Sequence, residues 1–148
     1  MFKSVVFALG LAASVLAQNI QIGGPAEFAS ITAGSNITVE VDRPDSLTGS
    51  QEVAIVIALN SCSGHPDNSC ASFDVTQDLG HILYSGPYDP EFHQGAGLPN
   101  KPPYQNFSVQ VPSNLPAGEA ALTVSHFSLV GAGPFPFFEV KNITLTVA

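Results

Sequence analysis

Apolar residues recur at every second position over much of the chain, and Gly or Pro interrupts nearly every run. Ile37, Val39 and Val41 alternate with Thr38, Glu40 and Asp42, the pattern of a strand with one face on a core and one in water. Arg43-Pro44-Asp45 through Gly49 breaks it. Val53–Leu59 is apolar in both phases, which predicts a central strand with little exposed face. His81–Tyr84 is a short strand. Phe107, Val109 and Val111 alternate with Asn106, Ser108 and Gln110 until Pro112. Ala120–Val130 is a long strand, and Ile143, Leu145 and Val147 alternate with Asn142, Thr144 and Thr146. With Asn19–Ile22 as a first edge strand the total is about seven, and no helical period stands out. The expected fold is all-β, an immunoglobulin- or fibronectin-III-like sandwich of about seven strands.

The long strand holds an irregularity. Leu122 and Val124 share one phase while Phe127 and Leu129 occupy the other, with His126 at the changeover. Either a bulge shifts the phase or both faces are covered. His126 reads as a packed or capped histidine, since no second motif residue accompanies it. The sequons Asn36-Ile-Thr, Asn106-Phe-Ser and Asn142-Ile-Thr test the phasing independently, because each Asn falls on the polar side of its strand. Chance would place all three there about one time in eight under two-face alternation. These three are the expected glycosylation sites; Asn68-Ser-Cys is a much weaker acceptor.

Residues 1–17 belong outside the folded unit. Met1-Phe2-Lys3 is a short positive start, Val5–Leu16 is an apolar run of signal-peptide length, and Val15-Leu16-Ala17 supplies small residues for cleavage before Gln18. A run of about 12 apolar residues is too short for a membrane span, and no later segment is longer. The expected product is one secreted domain, residues 18–148. It keeps three basic residues, Arg43, Lys101 and Lys141, against twelve acids, a net charge of −9 with His neutral. Such a chain lacks the basic footprint that nucleic acid requires.

Cys62 and Cys70 frame CSGHPDNSC, and in an oxidising compartment they are expected to form a disulfide. The rival is a metal site from Cys62, His65, Asp67 and Cys70, which lacks a C-x-x-C pair. Asp89, Glu91 and His93 form a second metal-like triplet, but Pro90 and flexible flanks favour a solvated loop. No cofactor or metal is therefore expected. There is no G-x-S-x-G elbow or Ser/His/Asp signature. The pairs Asp42/Asp45 and Asp74/Asp78 stand beside predicted turns, where acids serve local hydrogen bonding. Leu115-Pro-Ala-Gly-Glu-Ala-Ala-Leu122 followed by a strand histidine has a superficial likeness to secreted fungal copper monooxygenases. Those enzymes need an N-terminal histidine, and Gln18 stands there instead. The chain does not read as an enzyme.

Two connections are longer or more apolar than a strand link requires: Ser85–Lys101, with Tyr88, Phe92 and His93, and Gly131–Phe138, GAGPFPFF. In immunoglobulin order these two and Pro44–Ser50 share one end of the sandwich. Phe135, Phe137 and Phe138 either plug the open end of the core, the simpler expectation, or form an exposed partner patch together with Tyr88 and Phe92.

The order of motifs carries a resemblance. Ile20-x-Ile22-Gly23 is followed by Thr-Ala-Gly-Ser-Asn-Ile-Thr at Thr32–Thr38, Val-Ala-Ile-Val-Ile at Val53–Ile57, Leu79-Gly80 and Tyr84-x-Gly86-Pro87. The chain closes with Val111-Pro-Ser-Asn-Leu-Pro-Ala-Gly-x-Ala-x-Leu122, Phe127-Ser-Leu-Val-Gly-Ala132 and Asn142-Ile-Thr-Leu-Thr-Val147. This resembles the necrosis-inducing secreted protein family of fungi, over most of the mature chain and mainly in structural motifs. The resemblance implies a small sandwich effector, non-enzymatic, that suppresses plant pattern-triggered immunity by binding host receptor-associated kinases and is linked with cell death. A kinase target inside the plant cell would add host entry after secretion. The Cys62–Cys70 loop and the Ser85–Lys101 stretch are departures from the family pattern. The competing reading from the residues alone is a cell-wall carbohydrate-binding module with Tyr84, Tyr88, Phe92 and Tyr104 as its stacking platform.

Overall fold

The alternating segments become eight strands in a computed structural model that describes residues 19–46, 48–95 and 100–148. They are β1 (Gln21–Gly24), β2 (Ser30–Ile31), β3 (Asn36–Asp42), β4 (Ser50–Ser61), β5 (His81–Gly86), β6 (Tyr104–Gln110), β7 (Gly118–Val130) and β8 (Phe135–Val147). The expected signal peptide, residues 1–17, lies outside the described residues.

Two sheets form the all-β sandwich, one in the order β1-β3-β6 and one in the order β2-β8-β7-β4-β5. The core lies between them: Val39, Val41, Phe107 and Val109 from the first meet Ile55, Ile57, Leu59, Leu122, Val124 and Leu145 from the second. Asn36, Asn106 and Asn142 are all exposed. Asn36 and Asn106 stand on the outer face of the smaller sheet, opposite Gln110 and Glu40 respectively.

The eighth strand is the two-residue β2, which runs parallel to the end of β8 through Ser30↔Thr146 and Ile31↔Val147. No alternation can announce a strand of that length. β8 is also much longer than its alternating part. Phe135–Phe138 is strand rather than loop, so the β7–β8 turn is only residues 131–134. Pro136 is tolerated inside this strand because its nitrogen faces the open edge of the sheet and costs no ladder bond to β7.

The irregularity in β7 is not a bulge. Its register with β8 runs unbroken from Gly118↔Val147 to Val130↔Phe135. The bulge sits instead in β4, between Glu52 and Ala54. β7 is apolar in both phases because both faces have contacts to make. Ala121, on the outer face, is buried in a second cluster with Cys62, Cys70 and Val75, against which Phe73 and Val140 pack. The segment between β4 and β5 therefore folds across part of the outer face. Cys62 and Cys70 are joined there, their Cα atoms 5.2 Å apart. Glu119 pins the loop, accepting from the Cys70 amide at 2.8 Å and from Ser69 Oγ at 3.0 Å.

Candidate partner-binding end of the sandwich

Three registers bring three connections to one end of the molecule. Asp42 pairs with Tyr104, Ser50 with Val130 and Ile55 with Gly86, so the connections that follow Asp42, Gly86 and Val130 leave the sheets at one end. Backbone bonds tie them: the Arg43 amide donates to Pro103 O at 2.8 Å, and the Gly131 amide to Gly49 O at 3.0 Å. Gly131 has φ +83, a conformation that glycine adopts without strain. Two shallow clefts result, one beside Pro44 and one beside Gly49. One is lined by Gln21, Pro44, Phe92, His93, Lys101 and Pro102. The other is lined by Gly49, Gln51, Leu129, Gly131, Ala132 and Pro134.

The aromatic residues singled out in the sequence separate into two groups. Phe135 and Phe138 are exposed, at 46% and 63% of their surface, so they do not plug the core. The strand alternation sends them to opposite faces of β8: Phe138 is opposite Phe127 and Phe135 opposite Val130, with half-buried Phe137 opposite Ser128. Phe92 is 66% exposed, in the first cleft. Tyr88 is a correction, being only 3% exposed. Its hydroxyl donates to Val41 O at 3.1 Å, and its ring meets His126 edge-on with centroids 5.6 Å apart. Burial pushes its phenol well above the usual range. Tyr88 therefore belongs to the core and cannot be a partner contact.

The sugar-stacking platform fails on the same geometry. Tyr84 packs on Phe107 at 4.7 Å and donates to Pro87 O at 2.7 Å. Tyr104 is stacked by His93 at 4.1 Å, with Lys101 Nζ 4.3 Å from its ring centroid. Of the four, Phe92 is exposed, Tyr84 and Tyr104 are half-buried and Tyr88 is buried. Asp89, Glu91 and His93 do line one cleft, yet no group of three ligating residues is placed to hold a metal among the described residues. His93 Nε2 instead lies 3.2 Å from Tyr104 O.

Behind the exposed hairpin sits a buried cluster of charged groups. His126, 1% exposed, has Nδ1 at 3.0 Å from Glu139 Oε1 and Nε2 against Glu52 Oε2. Burial alone would lower the imidazole pKa; the hydrogen bonds to Glu139 and Glu52 outweigh it and raise it to about 8. Glu52 is pushed up by burial but held below the ordinary carboxylate value by His126, Ser50 and Arg43. Glu139 Oε1 also accepts the Ile20 amide at 2.7 Å, which fastens the segment before β1 to β8. A doubly protonated His126 thus bridges β4, β7 and β8 at the base of the hairpin. The sequence signal for Glu139 was its place on the inward phase with Phe137, Ile143 and Leu145, where an acid requires a buried partner. Glu52 was obscured by the adjacent bulge.

A model of the Nis1 family matches residues 15–146, nearly the whole chain. The chain belongs to the Nis1 family. That agrees with the resemblance carried by the ordered motifs, and it supports a necrosis-inducing, effector-like role at the level of the family. The Nis1 family is not an enzyme family. No curated protein matches the chain. Among solved structures, a variant superoxide reductase (neelaredoxin) from Ignicoccus hospitalis aligns with a TM-score of 0.43 and 12% identity, over 87% of this chain and 81% of that one. A likeness that distant bears on neither fold nor activity. No helix among the described residues is long and apolar enough to cross a membrane.

Proposed function

We propose that this Nis1-family chain is a secreted effector that acts by binding a host protein, suppressing plant pattern-triggered immunity through receptor-associated kinases and promoting cell death. The observation that carries the reading is the β7–β8 hairpin, which holds Phe135 and Phe138 in solvent on a strand anchored by buried charges. Large exposed apolar side chains on a rigid element are the ordinary composition of an interface centre. Sequons at Asn36 and Asn106 would cover the outer face of the smaller sheet with glycans, while the one at Asn142 stands on β8 four residues from Phe138, away from the β7–β8 turn.

The test is capture of receptor-associated kinases from plant extract by the wild-type protein and by Phe135→Ser/Phe138→Ser, with circular dichroism to establish that the variant folds. The wild type is expected to capture kinase and to damp the elicitor-induced oxidative burst in leaf tissue, and the variant to lose both by tenfold or more. Equal capture by the folded variant would remove the hairpin as interface.

A further inference from the structure

β8 has a free edge. β7 pairs one side of it along its whole length, while β2 and the segment before it reach only the last residues of the other side. There the Phe28 amide donates to Thr144 O at 2.6 Å, the Thr144 amide to Glu27 Oε1 at 2.9 Å and the Thr146 amide to Ala29 O at 3.0 Å. Thr144 and Thr146 thus direct their backbone groups away from β7. Strand alternation makes Asn142, Val140 and Phe138 do the same. Among the described residues, nothing hydrogen-bonds the backbone of those three on that side. Pro136 is next in the series and has no N–H to offer. The open stretch is therefore Phe137–Ile143, about 23 Å of edge at 3.3 Å per residue.

We propose that this edge is a docking strip for an extended segment of a partner polypeptide, which adds to the five-stranded sheet as a further strand beside β8. The inference deepens the protein-binding reading above and rests on it. A row of N–H and C=O groups at strand spacing is matched by another extended backbone, and side chains on the two faces then select the sequence. On the outer face, exposed Phe138 and half-buried Val140 call for apolar partners. On the inner face, Glu139 Oε2 is buried without a hydrogen-bond donor, and Lys141 Nζ stands 3.5 Å from it with 39% of its side chain exposed. An antiparallel strand with a basic residue opposite Glu139 and an acid opposite Lys141 completes both. A glycan on Asn142 would rise off the outer face at one end of the strip rather than across it.

A second copy of this chain does not fit. Its own β8 satisfies those charges only in the register that sets Glu139 against Lys141. That register places the second copy's Pro136 opposite Thr144, where Phe28 and Glu27 are already bonded. A strand without a neighbouring hairpin end meets no such obstacle.

The experiment titrates 15N-labelled protein with the synthetic peptide Thr-Thr-Asp-Val-Lys-Val-Thr, which sets Val against Phe138 and Val140, Lys against Glu139 and Asp against Lys141. Amide exchange at Phe138, Val140 and Asn142 is expected to slow by tenfold or more, and not with an analogue carrying Pro at the central Val. No slowing at millimolar peptide overturns the proposal. So does the same protection arising without peptide as the protein dimerises, which would make the occupant a second copy. Val140→Pro removes an edge donor while sparing the ladder to β7, as Pro136 already does, and is expected to capture at least tenfold less host kinase. Equal capture by folded Val140→Pro overturns the edge as interface and leaves the protein-binding reading standing. Absence of capture by the wild type, with peptide protection intact, overturns that reading and leaves the edge.

Discussion

Glu139 and His126 face each other across β8 and β7, with Oε1 3.0 Å from Nδ1, and the same oxygen accepts the Ile20 amide from the segment before β1. One carboxylate thus joins β7 and β8 of the large sheet to the segment that leads into the small one. Removing His126 leaves Glu52 and Glu139 buried without their shared counter-charge. Breaking a buried ionic group by deleting one member costs about 3–5 kcal/mol. His126→Ala should lose that much in urea denaturation at pH 6. Glu139→Gln, which keeps an oxygen for Ile20, should lose about 1–2 kcal/mol. A His126→Ala variant as stable as wild type would show that the cluster is energetically idle.

The same cluster sets an alkaline limit. The folded His126 pKa is about 8 against an ordinary 6.5, so folding favours the protonated ring. The contribution is complete below about pH 6.5 and is lost as pH rises through 8; a shift of this size is worth about 2 kcal/mol. Glu52 works in the opposite direction: its pKa is lowered, so its contribution is present above the ordinary value of 4.5 and lost on acidification. Stability should therefore peak between about pH 5 and 6.5. Denaturation midpoints measured from pH 4 to 9 check this, and His126→Gln should flatten the alkaline limb.

Tyr88 should behave as core. Tyr88→Ala is expected to cost about 3–5 kcal/mol, the loss for a buried aromatic. Tyr88→Phe should cost about 1 kcal/mol, because only the bond to Val41 O is lost. Thermal denaturation distinguishes this from a binding role, in which Tyr88→Ala would leave stability unchanged and abolish a ligand.

Strand phase was the legible part of this protein. Ile37/Val39/Val41 and Phe107/Val109 point inward, and the three sequon asparagines stand exposed, because a period of two admits only two faces. The end shared by the three connections was legible too, since immunoglobulin order dictates it. What local pattern could not convey was depth. Tyr88 and Phe92 share one Pro-rich stretch, yet Tyr88 turns in to Val41 and Phe92 stays out, a choice made by partners remote in sequence. The run GAGPFPFF looked like a loop because Pro and Gly suggest turns, whereas Pro136 is permitted by the open edge of β8. Phe127 and Leu129 left a bulge and a covered outer face both open; the ladder to β8 is unbroken, the disulfide loop covers Ala121, and Phe127 and Leu129 stay half-buried outside that cluster.

That cover yields a last prediction. The Cys62–Cys70 link closes a short loop whose restraint on the unfolded chain is worth about 2–3 kcal/mol in the chain-entropy account. Its loss should be felt on the folded side as well, because Cys62, Cys70 and Val75 shield Ala121, and Phe73 packs there with Val140. Cys62→Ser/Cys70→Ser should therefore lower stability by at least about 2–3 kcal/mol and raise amide exchange at the loop before the strands. The hairpin is held separately, by His126 and the β7–β8 ladder, so its amides should keep their protection. Hydrogen exchange with and without reductant reads both. Simultaneous loss of protection in the loop and the hairpin would mean that the outer cover and the candidate interface unfold as one unit.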